Sequence, residues 1–192
     1  MTTRAAALIH LRLKGFVGPD SLDDDVRLLL DEGLVNEAKL GFRLSPEGRI
    51  AADAAWAEER AAADPAALEA VHAIFAEINS PFKALVADWQ LRNGSLNDHS
   101  DAAYDAAILT RLRTVHVRLG ECLFLASAQV SRLNRYAPAF SAALAKLELG
   151  EIRWMAAPII DSYHTLWFEL HEELIRLTGR TRATEAASGA AA

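Results

Sequence analysis

The stretch "DEGLVNEAKLGFRLSPEGR", residues 31–49, decides how the first third of this chain is read. Gly33 stands where a helix C-terminal cap is expected. After it come two short apolar runs around a turn-forming middle, which predict a β-hairpin with Lys39 and Gly41 near its tip. Ser45 then has the chemistry of an N-cap, with Pro46 at the first helical position and Gly48 tolerated just inside.

Working outward, residues 4–14 repeat apolar side chains (Ala7, Leu8, Leu11) at helical spacing, and Gly15 and Gly18 punctuate the end. A second helix is expected from Asp20 or Ser21 as cap to Gly33, burying Leu22, Val26, Leu29 and Leu30, with Asp23, Asp24 and Asp25 in its first turns. Helix, helix, hairpin, helix is the order of a winged-helix unit. On residues 31–49, and over about residues 4–60, the chain resembles MarR-like and related bacterial winged-helix regulators. In those families an "aGLV" helix end leads into the wing and "LTPEGR" leads out of it. The resemblance implies DNA binding through wing and recognition helix. The chain departs from the pattern at two points. Only "FVGP" separates the first helix from the second, so the supporting helix is missing or compressed into a turn. The expected recognition helix also opens on three aspartates, which repel phosphates. The candidates for phosphate contact are Lys39, Arg43, Arg27 and Arg49.

Asp64 and Pro65 start a new helix, placing a boundary near residue 64. Val71, Phe75, Ile78, Phe82, Leu85 and Trp89 keep one helical phase through Pro81, which predicts a single long helix kinked near Asn79 to Pro81. "RNGSLNDHSD" reads as a loop, with Asn97, Asp98 or Ser100 capping a helix that continues to about Leu133, with a possible break near Gly120. Pro138 to Leu149 gives a shorter helix stopped by Gly150, and Pro158 opens a last apolar helix ending at Gly179. The fold class expected is mainly α, a small winged-helix-like domain (1–64) followed by an antiparallel helical bundle (65–180) and a frayed tail (181–192). "NDHSDAAYDAAILTRL" (97–112) and "IIDSYHTLWFELHEELI" (159–175) are similar to the helical part of a group of actinobacterial proteins in which a winged-helix-like segment precedes a helical domain.

The chain of 192 residues carries a formal net charge of −6, so any nucleic-acid contact must be local. The single cysteine, Cys122, lies in an apolar run and reads as a buried, inert thiol; an intramolecular disulfide and a thiolate zinc cluster are excluded. Neither a secretory leader nor a membrane span is visible, which points to the cytoplasm.

In the last helix, His164 and His171 lie seven residues apart on nearly one face, with Asp161 a turn earlier and Trp167 on the apolar stripe. Histidines bonded at the core edge explain them, as does a small-molecule pocket. A di-metal bundle site would need Glu-x-x-His units paired across helices, and only Asp161-x-x-His164 comes near, so no metal or cofactor is expected. His99 and Asp105 are further ligand candidates, since capping explains Asp98 and Asp101 better than it explains Asp105. Trp154 and Met155 read as a surface contact. No phosphate loop, dinucleotide fingerprint, nucleophile elbow or His-Glu-x-x-His is present, so an enzyme is not expected. Three functions compete: a transcriptional regulator or regulator-derived protein whose helical domain dimerises or senses a ligand, an interaction module serving as accessory subunit of an enzyme, and a small helical-bundle enzyme or ligand-binding protein. The expected partners are DNA, a second copy of the chain or another protein, and not a membrane.

Overall fold

The computed structural model describes residues 3–181. It is mainly α-helical, and the described residues divide into two compact units that meet between Ala63 and Asp64 in the chain.

In the first unit, α1 (Thr3–Lys14) ends at Gly15, whose positive φ of 71° suits glycine. Between α1 and the next helix there is no full supporting helix, only a single 3-10 turn at Pro19–Ser21. The expected caps Asp20 and Ser21 are spent in that turn, so the cap of α2 (Asp24–Asp31) is instead Asp23, whose carboxylate accepts from Val26 N–H at 2.9 Å. Gly33 at φ 72° closes α2, with Gly33 N–H bonded to Leu30 O and Leu34 N–H to Leu29 O, each at 2.9 Å. This double bond pattern satisfies carbonyls that the helix end would otherwise leave open. Strands β1 (Val35–Ala38) and β2 (Gly41–Leu44) pair antiparallel from Val35↔Leu44 to Ala38↔Gly41, leaving Lys39 and Leu40 as the turn. Val17 adds a bridge to Phe42 through two backbone bonds of 3.0 and 2.8 Å, a pairing the sequence pattern did not announce. Ser45 caps α3 (Pro46–Ala62) by accepting from Gly48 N–H at 3.0 Å. Leu8, Leu11, Val17, Val26, Leu29, Val35, Phe42, Leu44 and Ala52 form the core.

Two glycines hold this unit together by what they lack. A Cβ on Gly41 would sit 2.0 Å from Val17 O, and one on Gly48 would sit 1.9 Å from Leu34 O. Gly48 is therefore required, not merely tolerated: α3 enters directly over the backbone that leaves α2.

In the second unit, Asp64 caps α4 (Pro65–Gln90), which runs through Pro81 as one helix and buries the whole stripe from Val71 to Trp89. The expected loop after it contains a small hairpin, β3 (Leu91–Arg92) with β4 (Ser95–Leu96), turned by Asn93 and Gly94 at φ 50° and 80°. Positive φ at both central residues is the tight turn that Asn-Gly favours. The cap of α5 (Ala102–Gln129) is Asp101, not Asn97, Asp98 or Ser100, because its carboxylate takes Ala103 and Tyr104 N–H. α5 passes Gly120 without a break and ends at Gln129; Leu133 belongs to a separate 3-10 stretch, Ser131–Arg135. α6 (Tyr136–Glu148) follows, stopped by Gly150 at φ 83°. After a 3-10 turn at Ile152–Trp154 comes α7 (Tyr163–Leu177), which starts five residues later than Pro158 suggested. Ser162 is its cap, accepting from Thr165 N–H at 3.3 Å, and Met155 O takes His164 N–H at 2.9 Å, so the incoming segment folds back over the helix start. Phe75, Phe82, Phe140, Tyr163 and Trp167 fill the core between the helices; Phe82 and Trp167 stack with centroids 4.0 Å apart. Apart from Thr181, the expected tail lies outside the described residues. No described helix is long and apolar enough to cross a membrane.

Candidate functional site

In the first unit the predicted phosphate contacts Lys39, Arg43, Arg27 and Arg49 are all exposed. Lys39 sits in the hairpin turn, Arg43 on β2 and Arg49 in the first turn of α3, and none of these three makes an ion pair among the described residues. Arg27 lies 3.6 Å from Asp24 on α2 and so is partly neutralised. The outward residues of α2 and its ends are Asp23, Asp24, Arg27, Leu28, Asp31 and Glu32. Glu32 is paired with Arg4 of α1 at 2.7 Å, so four carboxylates stand against two guanidinium groups and the face keeps a negative excess. Residues 1–63 as a whole hold eight Lys and Arg against eleven Asp and Glu.

The histidines of α7 do not assemble a centre. His171 is buried, its ring 5.1 Å from that of Phe75, while His164 is half-buried between Phe82 and Phe168. Burial holds the His164 imidazole below its ordinary pKa, and the same cause lowers His116, which lies 3.1 Å from Tyr163 OH. Trp167 is a core residue whose indole N–H donates to buried Asn79 at 2.9 Å. Asp161 is placed otherwise than the spacing suggested: α7 starts at Tyr163, so Asp161 lies before the helix and is exposed. Met155 is a second correction, since it is fully buried and the surface contact expected with Trp154 loses half its members. Among the described residues no group of three His, Cys, Asp or Glu could hold a metal ion.

Sequence reasoning missed a buried ion cluster on α7. Glu173 is fully buried and accepts from the two terminal nitrogens of the Arg132 guanidinium, Nη1 and Nη2, the latter at 2.6 Å, while Arg135 stands 3.6 Å from Glu173 and 3.7 Å from Glu169. Arg135 also donates to Tyr136 OH at 2.8 Å, and burial, with the Glu173 charge, pushes the Tyr136 phenol well above its ordinary range. The cluster ties the 3-10 stretch before α6 to α7. The signal was present: Glu173 follows Leu170 by three and precedes Leu177 by four, which puts a carboxylate on the apolar stripe.

The most built polar arrangement surrounds His99. Its backbone takes φ 58°, uncommon for a residue with a side chain though tolerated better by His than by most. Its N–H donates to Asn97 Oδ1 at 3.2 Å, and Nδ1 lies 2.9 Å from Asp105 Oδ2. Asn97 Nδ2 in turn donates to Trp89 O and to Asp105 Oδ1, each at 3.1 Å. Nδ1 thus faces both Asp105 Oδ2 and, at 3.3 Å, Asn97 Nδ2, while Nε2 makes no hydrogen bond among the described residues. His99 and Asp105, both named from sequence, are thus brought together, and neither meets His164. The ring lies against Trp89, centroids 4.6 Å apart, and borders an open groove of about 600 Å³.

A scan of protein-family models, a search of curated proteins and a search of solved structures each returned no match to this chain.

Proposed function

We propose that residues 1–63 are a winged-helix module derived from MarR-like regulators and turned to protein contact, docking the chain as an accessory subunit onto a basic surface of its partner. The observation that carries this reading is the outward face of α2, where Asp23, Asp24, Asp31 and Glu32 occupy the positions a recognition helix would offer to DNA. Carboxylates there oppose a phosphate backbone and complement lysines and arginines. The bridge of Val17 to Phe42 and the single 3-10 turn between α1 and α2 agree with a winged-helix order whose supporting helix has shrunk. Leu28, 46% exposed among the acids, adds an apolar contact at the middle of that face.

A second reading keeps DNA as the partner, and one observation favours it: Lys39, Arg43 and Arg49 are exposed without ion-pair partners among the described residues. One experiment divides the two. Fluorescent DNA fragments are titrated in a salt series with wild type, Lys39→Glu/Arg43→Glu and Asp24→Lys/Asp31→Lys. In parallel, a photo-crosslinking residue at position 28 is irradiated in the native host. Protein docking predicts no salt-dependent DNA binding by wild type, and a discrete protein adduct that Asp24→Lys/Asp31→Lys abolishes and the wing variant keeps. Salt-sensitive DNA binding lost in the wing variant sinks it in favour of the regulator.

A further inference from the structure

We infer that the groove beside His99 is a binding site for a small amphipathic carboxylate. One wall is the β3–β4 hairpin, with Leu91 and Leu96; the floor is Trp89; the opposite wall is the segment after α6, with Ile152 and Arg153. A volume of about 600 Å³ falls in the range of small-molecule sites, which are mostly apolar with few convergent polar groups. Leu96 and Ile152 are 84% and 48% exposed and would be covered by the apolar body of a ligand.

The charge of the ligand follows from two side chains. Arg153 is exposed at the groove and makes no hydrogen bond or close ion pair among the described residues. The neighbouring carboxylate, Glu151, is already engaged by Lys146 at 2.9 Å and by the Trp154 indole N–H at 3.0 Å. No carboxylate lines the groove itself, and Glu151, which acts on Arg153 through charge without a hydrogen bond, is held by Lys146 and the Trp154 indole, so the guanidinium keeps its donors for an entering anion. His99 supplies the second contact. Asp105 orients the ring through Nδ1, and the other ring nitrogen, Nε2, donates to an anion when the ring carries both protons. Asn97 locks both partners, bonding to the His99 N–H, to Asp105 and to the backbone of Trp89. A strained His backbone held by this many bonds is the kind of preorganisation that binding sites use. The ligand class is therefore a monocarboxylate with an aromatic or short aliphatic body, its body on Trp89 and the leucines, its carboxylate between Arg153 and His99 Nε2.

This inference concerns the second unit and does not depend on what residues 1–63 contact. The test uses the full chain and two probes of equal shape, 3-phenylpropionate and 3-phenylpropionamide, followed by NMR at the Trp89 indole and the His99 ring. Arg153→Gln removes the cation at an exposed position. His99→Asn keeps a residue that accepts positive φ while removing Nε2. Val117→Ala, exposed on α5, is the control. The expected result is saturable binding of the acid with shifts at Trp89 and His99, an amide about tenfold weaker or worse, a loss of similar size in Arg153→Gln and His99→Asn, and no change in the control. Equal binding of acid and amide, unchanged affinity in Arg153→Gln, or no saturable shift at millimolar acid would each overturn it.

Discussion

Replacing Gly48 by Ala tests the reason for the SPEGR turn. By propensity alone the change should stabilise α3 by up to about 1 kcal/mol, because Gly is the poorest non-proline helix former. The added Cβ, however, would lie 1.9 Å from Leu34 O and 2.9 Å from Leu34 C, with Leu44 Cδ2 at 3.2 Å. Both close atoms are backbone, so no rotamer change relieves them, and α3 must lift by more than an ångström. That carbonyl accepts Ser45 N–H at 2.9 Å, while Ser45 Oγ donates to Gly33 O at 2.9 Å and accepts from Gly48 N–H at 3.0 Å. Lifting the helix strains all three bonds, each worth about 1 kcal/mol net. Set against the propensity gain, the variant should lose about 2 kcal/mol, a roughly 30-fold fall in the protection of α3 amides. Hydrogen–deuterium exchange of peptides from residues 46–62 reads this directly and leaves the second unit as an internal standard. Gly18→Ala serves as control, since a Cβ there meets nothing within 4 Å. Unchanged or slower exchange in Gly48→Ala would refute the reasoning, and with it the close approach of α3 to the end of α2.

Three further outcomes follow from the second unit. Arg132→Met should destabilise by about 3 kcal/mol because it leaves buried Glu173 with only its longer contacts to Arg135 and Tyr136, and Arg132→Met/Glu173→Leu should regain most of that; urea unfolding of both variants checks it, and a double variant as weak as the single one contradicts the account. Burial pushes the Cys122 thiol up to about 12, so a disulfide reagent at pH 8 should label the native chain only as fast as it opens and label it at once in urea; immediate native labelling would show the thiol to be accessible. His116 and His164 are held below the ordinary histidine value by burial, opposed at His116 by the Glu148 charge. With folded values below the unfolded value of about 6.5, the unfolded chain binds more protons in that window, so these residues make stability fall as pH drops below about 6.5 and leave it unaffected above. NMR titration of the two rings should give midpoints below that of an unfolded peptide, and midpoints above it would reverse the sign.

The helical phase of the chain was legible because burial on a helix repeats every three to four residues. The stripe from Val71 through Phe82 to Trp89 is buried from end to end, and Pro81, on the exposed side, does not interrupt it. Helix starts were less legible. Asp20, Ser21 and Asp23 have equal capping chemistry, as do Asn97, Asp98, Ser100 and Asp101, and what selects one is which backbone N–H it reaches once the preceding turn has formed. The 3-10 turn at Pro19–Ser21 takes up Asp20 and Ser21, while Asn97 is spent on Trp89 O and Asp105 and Asp98 on Ser100, bonds that a pattern of apolar spacing does not register. For α7 the error was of the other kind: Ile159 and Ile160 continue the apolar run backwards, yet Ile159 is 88% exposed because Ser162 caps the helix three residues later.

The same distinction separates the two histidine sites. His164 and His171 were judged by sharing a face of one helix, and a shared face says only that they point the same way; the rings of Phe75 and Phe82 meet them there. His99 and Asp105 were linked only by nearness in a polar stretch, and what joins them is the hairpin before α5, which lays Asn97 across Trp89 O and Asp105 while His99 takes a positive φ. Helical periodicity carries no information about such a turn, because the geometry lives in Asn93 and Gly94, six and five residues upstream of His99. A polar constellation in this chain is therefore better sought where a tight turn precedes a helix cap than along an apolar stripe, where each polar side chain must first satisfy the core, as Glu173 does with Arg132.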